Sequence, residues 1–490
     1  MMRLSEAARL INARAINADA AFVSVFSDSR AMVKGGLFIA LRGERFDGHN
    51  FVAAAIAQGA AAAMVDEAWA AAHASDQLPV LIVDNTRLAL GRLATGWRAR
   101  FTIPVIAITG SNGKTTVKDM CAAIMSAHFG DDHVLATSGN FNNDIGLPLT
   151  LLNLRTQHSA AVIEMGMNHA GEISYLSGLA CPTVALVNNA QRAHLEGLGS
   201  IAAVARAKGE IFEGLDDDGV AVINVDDPYA GIWRDLASKY RVLSFALDAA
   251  ADVTAAMRGM HIELRTPAGN ATLTLPLPGR HNVMNALAAT TACLAAKVPL
   301  KAIVDGLTAY RGAKGRLQRN AGEHGAVLID DSYNANPDSM RAAIDVLAQL
   351  PGKRLLVMGD MGEVGAAGAQ FHDELGGYAK SQGIERLFCL GSLSSAAAHN
   401  FGLGGEHFNR IEDLIKAVRQ ELDATTTVLV KGSRFMRMER VVEALESNTG
   451  SKSDPAAGPS QGGVSQTTER TTSANTHLPL PREGGGEEGQ

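Results

Sequence analysis

The segment IPVIAITGSNGKTTVKDMCAAIM, residues 103–125, decides the fold. Its apolar run 103–109 has the composition of a buried strand, and a glycine-bearing turn and a helical pattern follow it. Glycines let main-chain amides point inward, and the N-terminus of the following helix adds the positive end of its dipole. Strand, turn and helix together predict a phosphate-binding loop in a parallel α/β sheet.

The side chains of this loop indicate the phosphates of a nucleoside triphosphate. Lys114 offers a positive charge to the β- and γ-phosphates, and Thr115 offers a hydroxyl to Mg²⁺. The general pattern has a glycine six residues before the lysine, where this chain has Ile108, so the loop is a shorter GxxGKTT variant. The motif predicts ATP or GTP binding but does not indicate which reaction follows. The alternative is that these residues only begin a helix. The predicted loop residues are Gly110, Ser111, Asn112, Gly113, Lys114, Thr115 and Thr116.

Short apolar runs alternate with helix-length segments along most of the chain. Because these runs are apolar on both faces, they predict mostly parallel sheets covered by helices. The runs lie at 36–41, 61–65, 79–84, 103–109, 160–166, 183–189, 219–225, 325–331, 353–360, 386–391 and 426–432. We predict an α/β protein with a small N-terminal α/β domain at 1–100, a central P-loop domain at 101–311, a C-terminal Rossmann-like domain at 312–448 and a disordered tail at 449–490.

Composition agrees with this division and excludes several classes of protein. At about 150 residues per domain, 490 residues correspond to roughly three domains. The apolar share of 47% and the charged share of 19% exclude a wholly disordered chain, a collagen and a coiled coil. A net charge of −7 argues against a protein that coats nucleic acid. Four scattered cysteines argue against a disulfide scaffold or a zinc ribbon and indicate a reducing compartment.

The two ends of the chain carry different signals. The first 20 residues lack the continuous apolar core of a signal peptide. No run approaches the length of about 18 apolar residues that a membrane span needs, so we expect no membrane insertion and a cytoplasmic location. From Thr449 the chain is rich in Gly, Pro, Ser and Thr and has no aromatic residue, which predicts the disordered tail.

Polar residues near the ends of the predicted strands are candidate ligands. Glu164 ends one strand and His194 follows another, and ligands of parallel sheets bind at those ends. A carboxylate and an imidazole near phosphates can hold Mg²⁺, although a structural role stays open for each. Lys208, from composition alone, is a solvated surface lysine. Asn282 and Asn285 share one face of a helix start, where they either cap the helix or hydrogen-bond a base.

Taken in chain order, these segments resemble the Mur ligase family, the ATP-dependent amide-bond ligases of peptidoglycan precursor synthesis. The segments are GSNGKTT, EMGMN, NNAQRAHLEGLGS, ARAKGEIF, GRHNVMNALAA, GRLQ, DDSYNANPDSM, GDMGEVG and VLVKGSR. GNFNNDIGLPLTLL (139–152), DDSYNANPDSM (330–340) and VLVKGSRFMRMERVV (428–442) resemble the members that join D-alanyl-D-alanine to UDP-N-acetylmuramoyl-tripeptide. The resemblance spans residues 25 to 446 and excludes the tail.

The resemblance implies two Mg²⁺ ions and a modified lysine. Thr115 would hold the first ion, and Glu164 and His194 would help to hold the second. Lys208 matches a family lysine that reacts with CO₂ to form a carbamate, which exchanges a cation for an anionic oxygen ligand.

Roles in nucleotide binding follow from the same resemblance. Lys114 would contact the β- and γ-phosphates of ATP, and Arg316 would reach the γ-phosphate from the third domain. Asn282 and Asn285 match the positions that contact adenine, and Asp331 matches an acid on the ribose side. The implied catalytic residues are Lys114, His194, Lys208 and Arg316.

Further positions match the regions that hold the other substrates. Segment 43–51 is either part of the UDP site or a structural loop containing Asp47 and His49, and segment 330–340 also fits plain turn and cap chemistry. The implied substrate residues are Ser29, Arg30 and Arg45 at the UDP end, Asn334, Asn336 and Ser339 near the reacting centre, and Lys431, Ser433 and Arg434 at the dipeptide or its carboxylate.

The expected reaction passes through an acyl phosphate in a site closed by rotation about residues 310–316. We expect small-molecule substrates only, no nucleic-acid partner and a monomer. The nearest competing function is that of a sibling ligase that adds an amino acid, or of a folylpolyglutamate synthase. Two more distant functions are those of a P-loop motor or switch and of a non-catalytic sugar-nucleotide binder.

Overall fold

Four β-sheets organise the residues that the computed structural model describes, which are 1–44, 46–258 and 261–447. The predicted tail and Arg45 lie outside these ranges. The predicted fold class is confirmed, since parallel strands covered by helices make up most of the sheets. Within the described residues, no helix has both the length and the apolar composition to cross a bilayer.

The N-terminal part contains a two-stranded and a five-stranded sheet. Its strands are β1 Met2–Arg3, β2 Arg14–Ile16, β3 Ala21–Phe22, β4 Val25–Phe26, β5 Leu37–Ile39, β6 Ala62–Asp66 and β7 Val80–Val83. Its helices are α1 Leu4–Ile11, α2 Val52–Ala57, α3 Glu67–Ala72 and α4 Thr86–Arg98. The larger sheet has the order β2-β7-β6-β5-β4, with only β2 antiparallel to its neighbour. Helix α4 begins where the Asn85 side chain accepts from two main-chain amides of the first turn.

The central part is a nine-stranded sheet. Its strands are β8 Val105–Thr109, β9 Val134–Ala136, β10 Ala160–Glu164, β11 Val184–Val187, β12 Val220–Asn224, β13 Arg241–Ala246, β14 Val253–Arg258, β15 His261–Thr266 and β16 Gly269–Thr274. Its helices are α5 Lys114–Phe129, α6 Gly146–Leu151, α7 Glu172–Ala180, α8 Leu195–Leu198, α9 Ile201–Gly209, α10 Ala230–Leu236, α11 Arg280–Ala295 and α12 Leu300–Ala309.

Strand β8, which leads into the phosphate-binding loop, lies inside this sheet between β10 and β11. The order is β16-β15-β14-β13-β12-β11-β8-β10-β9, parallel except for the hairpins β14–β15 and β15–β16. All residues of β8, β10, β11 and β12 are buried, which explains their continuous apolar runs. The polar strands β14 to β16 lack that signal, and the sequence did not predict them.

The C-terminal part is a six-stranded sheet. Its strands are β17 Gln318–Ala321, β18 Val327–Asp331, β19 Lys353–Gly359, β20 Arg386–Leu390, β21 Gly405–Phe408 and β22 Thr426–Lys431. Its helices are α13 Pro337–Ala348, α14 Gly368–Ser381, α15 Ser394–Phe401, α16 Ile411–Gln420 and α17 Glu439–Leu445. The order is β17-β18-β22-β19-β20-β21, and only β17 is antiparallel to its neighbour.

The first two parts share one apolar core. A single cluster of buried residues runs from Leu37 in β5 through Leu90 and Trp97 in α4 to Ile163 in β10 and Trp233 in α10. Helix α4 is therefore packed from both sides, and burial of this apolar surface fixes the N-terminal sheet on the nine-stranded sheet.

Arg98, at the end of α4, adds a polar contact to this core. Its Nε donates to the Ala180 carbonyl at 3.0 Å, and its two terminal nitrogens donate to the carbonyls of Phe101 and Cys181. Arg98 is only 6% exposed, so its removal leaves buried carbonyls without donors.

We predict that Arg98→Ala lowers the free energy of unfolding by about 2–4 kcal/mol, because one buried and two partly buried acceptors lose their donor. Urea titration would measure this change. Arg92→Ala is the matched control, since Arg92 forms an exposed ion pair with Asp84 and its loss costs about 1 kcal/mol or less. Equal effects of the two substitutions would contradict the prediction.

Candidate functional site

A cleft of about 1690 Å³ opens where the carboxyl edges of the nine-stranded and six-stranded sheets face each other. Most of the predicted site residues line it. They are Ser111, Asn112, Gly113, Lys114, Thr115, Thr116, Glu164, His194, Asn282, Asn285, Arg316, Asp331, Asn334, Asn336, Ser339, Lys431, Ser433 and Arg434. Gly110, Lys208, Ser29 and Arg30 are not among the lining residues.

The phosphate-binding loop curls at Gly113, which begins α5. Its φ of +79° is left-handed, and a Cβ there would lie 2.7 Å from the Asn188 amide nitrogen and closer still to Asn285. The Lys114 ammonium folds back to donate to the Gly110 carbonyl at 2.7 Å. Burial lowers the pKa of Lys114, and the Glu164 carboxylate opposes that shift in part. The loop therefore has the compact shape and the cation that phosphate binding requires.

The Thr115 hydroxyl joins both sheets at the base of the cleft. It donates to Glu164 Oε2 at 2.8 Å and accepts from the Arg316 guanidinium at 2.8 Å. Glu164 is 2% exposed, and its other oxygen accepts from the Asn142 amide at 2.8 Å. A hydroxyl and a carboxylate oxygen side by side in a phosphate-binding loop fit the ligand preference of Mg²⁺.

His194 and Lys208 lie near this base and differ in their surroundings. His194 has a left-handed main chain, with φ of 57°, and its Nδ1 lies 2.8 Å from Glu363 Oε2. Burial lowers the pKa of the imidazole, and the contact with Glu363 opposes the shift. Among the described residues, no group of three His, Cys, Asp or Glu side chains converges on a metal position. An ion beside His194 therefore needs a further oxygen ligand.

The structure buries Lys208 in α9, with only 1% of its surface exposed. The interpretation as a solvated surface lysine is therefore wrong. Its ammonium makes no hydrogen bond or ion pair with any described residue. Burial first, and then the charge of Lys114, hold the pKa of Lys208 well below its ordinary range. An ammonium cannot ligate a metal, so Lys208 fits a metal site only after a change in its chemistry.

The two asparagines of α11 project into the cleft. Asn282 donates to the Pro278 carbonyl at 2.7 Å, and Asn285 accepts from the Asn188 amide at 3.1 Å. Neither caps the helix, whose N-cap residue is Gly279. Both line the cleft beside the phosphate-binding loop, a position suited to contact with a base.

Lys431 holds the loop that follows β18. Its ammonium lies 2.7 Å from Asp331 and donates to the Asn334 carbonyl at 2.8 Å, and Lys431 is 4% exposed. Asp331 also accepts from the main chain of Leu317 at 3.2 Å. These contacts use the Lys431 ammonium to hold the loop. Arg434, in contrast, is exposed and pairs with Glu439 at 3.2 Å.

The segment 330–340 combines cap chemistry with a contact across the cleft. Asn336 and Ser339 form a capping box at the start of α13, as turn chemistry predicts. The Asn336 amide also donates to Asn112 Oδ1 in the phosphate-binding loop at 2.8 Å. The cap interpretation of this segment is therefore confirmed, and its role at the reacting centre stays a prediction.

Several residues of the cleft were not singled out from the sequence. Arg192 donates from its main chain and its guanidinium to Asp338, with contacts of 2.6–3.0 Å across the two sheets. Asn142 and Glu363 are the others. All four lie within segments that carry the family resemblance, but their contacts join distant parts of the chain, which local pattern does not reveal.

The N-terminal candidates lie apart from the cleft. Arg30 is exposed and pairs with Asp28 at 2.8 Å. His49 is 3% exposed, contacts Asp47 at 2.6 Å and accepts from the Asp66 main chain at 3.1 Å, which supports a structural role for this loop. Arg45 lies outside the described residues.

Comparisons with known proteins agree with this arrangement. Three family models match: the Mur ligase family catalytic domain at 21–98, the Mur ligase middle domain at 108–293 and the Mur ligase glutamate ligase domain at 315–434. The UDP-N-acetylmuramoyl-tripeptide–D-alanyl-D-alanine ligase of Escherichia coli is 44% identical over 453 residues, covering 91% of this chain and 98% of that protein.

Two solved structures are similar over nearly their whole length. MurF from Acinetobacter baumannii has a TM-score of 0.83 at 35% identity, covering 90% of this chain and 98% of that one. MurF from Thermotoga maritima, in complex with ADP, has a TM-score of 0.73 at 25% identity, covering 87% and 98%. The chain belongs to the Mur ligase family.

Proposed function

We propose that this chain is an ATP-dependent ligase that joins D-alanyl-D-alanine to UDP-N-acetylmuramoyl-tripeptide. The products are UDP-N-acetylmuramoyl-pentapeptide, ADP and phosphate. The observation that carries this proposal is the cleft, in which a phosphate-binding loop and Glu164 meet Arg316 and segment 330–340 from the other sheet. The name of the Escherichia coli relative and the ADP of the Thermotoga maritima structure support it.

The reaction needs an activated carboxyl group, because a free carboxylate would have to expel oxide. Transfer of the ATP γ-phosphoryl group to the tripeptide carboxylate gives an acyl phosphate and ADP. The dipeptide amine then attacks the acyl carbon, a proton is released, and phosphate leaves. The protein has to neutralise charge and align oxygens, and we assign this task to Lys114 and Arg316, both of which line the cleft.

Mg²⁺, when bound, neutralises the phosphate oxygens on which negative charge develops. Thr115 and Glu164 fit one ion, and Glu164, His194 and a modified Lys208 fit a second. A lysine with a lowered pKa is neutral in a larger fraction of molecules, and a neutral amine attacks CO₂. The new N–C bond and the loss of one proton give a carbamate, an oxygen ligand that an ammonium cannot provide.

Closure of the cleft protects the acyl phosphate from water. The pairs Arg192–Asp338 and Asn112–Asn336 both join the nine-stranded part of the cleft to segment 330–340 of the other part. Rotation about residues 310–316, with domain boundaries near residues 100 and 312, would open the site.

All four cysteines are free, which supports action in the cytoplasm, and we propose a monomer.

Phosphate release from ATP and Mg²⁺ tests the function, with UDP-muramoyl-tripeptide and D-alanyl-D-alanine supplied singly and together. The proposal requires that full release needs both and that the mass of the pentapeptide product appears. Release with neither substrate would indicate a motor or switch, and activity only with a single amino acid would indicate a sibling ligase.

We predict that Lys114→Ala lowers turnover by roughly a thousandfold or more, because the γ-phosphoryl group loses its positioned cation. Phosphate release at saturating substrates measures it. Lys301→Ala is the control, since Lys301 forms an exposed pair with Asp305. Near-normal turnover of Lys114→Ala would refute the role of the phosphate-binding loop.

We predict that Lys208→Ala is severely impaired and that a short added carboxylate such as acetate restores part of its turnover. Truncation leaves a buried space in which the added anion replaces the carbamate oxygens. Lys114→Ala assayed with the same salt shows whether rescue is specific. Full activity of Lys208→Ala without added carboxylate would exclude a carbamate.

A further inference from the structure

Glu363 lines the cleft with a carboxylate, and none of the proposed roles in nucleotide or metal binding uses this group. It follows β19 at the carboxyl edge of the six-stranded sheet. Its Oε2 lies 2.8 Å from His194 Nδ1, and 58% of its side chain stays exposed. The carboxylate is therefore next to the reacting centre and accessible from the cleft.

The main chain holds Glu363 in an unfavourable conformation. Its φ of 60° is left-handed, which costs energy for a residue with a Cβ. The preceding turn is fixed by two contacts: the Met361 amide donates to His372 Nε2 at 2.9 Å, and the Gly362 amide donates to Ser433 Oγ at 2.8 Å. Strain that is held in place at a cleft is typical of a functional position.

The other carboxylates of the cleft are already engaged. Among the described residues that line the cleft, each of these other carboxylates binds a guanidinium, an ammonium, an amide, a hydroxyl or main-chain donors. The Glu363 carboxylate, in contrast, contacts only the imidazole of His194. The other carboxylates are those of Glu164, Asp226, Asp227, Asp331, Asp338 and Asp345. A cationic group that enters the cleft therefore meets an available carboxylate at Glu363.

An apolar and a cationic side chain line the same cleft as Glu363. Phe435 is 64% exposed, and its ring lies against Gly362, where an added Cβ would be 2.9 Å from the ring. Arg434 lines the same wall. A zwitterionic dipeptide carries groups of the complementary kinds, which are an ammonium, two methyl groups and a carboxylate.

Opposite this wall the cleft is cationic. Lys114 and Arg316 suit the phosphates and repel an ammonium group. The amine of the acceptor has to approach the acyl carbon through this region, so a carboxylate beside the reacting centre offsets the repulsion.

We propose that Glu363 binds the ammonium group of the incoming dipeptide and that Phe435 packs against its methyl groups. This inference rests on the proposed function and adds an acceptor subsite to it. A charge-assisted hydrogen bond from the ammonium to Glu363 holds the nitrogen next to the acyl phosphate, and the ammonium gives up one proton before its lone pair attacks the acyl carbon.

The test compares steady-state kinetics of the wild type and Glu363→Gln, which keeps the shape and removes the charge. We expect the KM for D-alanyl-D-alanine to rise by roughly ten- to a hundredfold. The KM values for ATP and UDP-muramoyl-tripeptide stay within about twofold. Glu363→Asp, which keeps the charge on a shorter side chain, loses less. Glu412→Gln is the control, since Glu412 lies exposed beside Arg410.

A neutral analogue makes the test specific for the ammonium. In D-lactyl-D-alanine a hydroxyl replaces the amine, and its inhibition constant is measured against both enzymes. The wild type discriminates strongly between dipeptide and analogue, and Glu363→Gln removes most of that discrimination. A merely structural role for Glu363 would weaken both ligands alike and would overturn the proposal.

The partial reaction separates this inference from the proposed function. Acyl phosphate formed from ATP and the tripeptide alone, trapped by borohydride reduction, stays at the wild-type level in Glu363→Gln. Loss of trapping, or an unchanged KM for the dipeptide, overturns the role of Glu363 and leaves the ligase function standing. A wild type that never consumes the dipeptide overturns both.

Discussion

The hydroxyl of Thr115 is the contact on which the cleft depends. It donates to Glu164 from one sheet and accepts from Arg316, which belongs to the segment that leads into the other. One oxygen thus fixes a carboxylate and a guanidinium at the place where we propose that the terminal phosphate of ATP meets a Mg²⁺ ion. Arg316 reaches this oxygen from the segment that leads into the six-stranded sheet, so rotation of the sheets away from each other, as proposed above, would break this contact.

Much of this site could be predicted from the sequence, because its signals are local. The phosphate-binding loop combines a strand, glycines and a helix start within a few residues, and the capping box of Asn336 and Ser339 spans four. The burial of Lys208 and the contact of Arg192 with Asp338 depend on chain segments that meet only in the folded protein. The polar hairpin strands β14 to β16 were missed because they lack the apolar runs of buried strands.

Two buried lysines near the base of the cleft differ in whether their positive charge has partners. Lys114 lies among main-chain carbonyls and a carboxylate, which stabilise its positive charge. Lys208 has neither, and burial without a partner favours its neutral amine. This desolvation would destabilise a purely structural lysine, but it suits Lys208 to the proposed uptake of CO₂, because only an uncharged amine can attack CO₂.

The charges in different parts of the cleft favour different ligand groups. Cations line the phosphate-binding side, where a triphosphate and a carboxylate have to come together despite their mutual repulsion. The ammonium of an acceptor has the opposite requirement, and Glu363 meets it from the other sheet, at a strained position next to His194. The proposed acceptor subsite and the cationic phosphate-binding loop line the same cleft, so the amine and the activated carbonyl are expected to meet between two surfaces that prefer opposite charges.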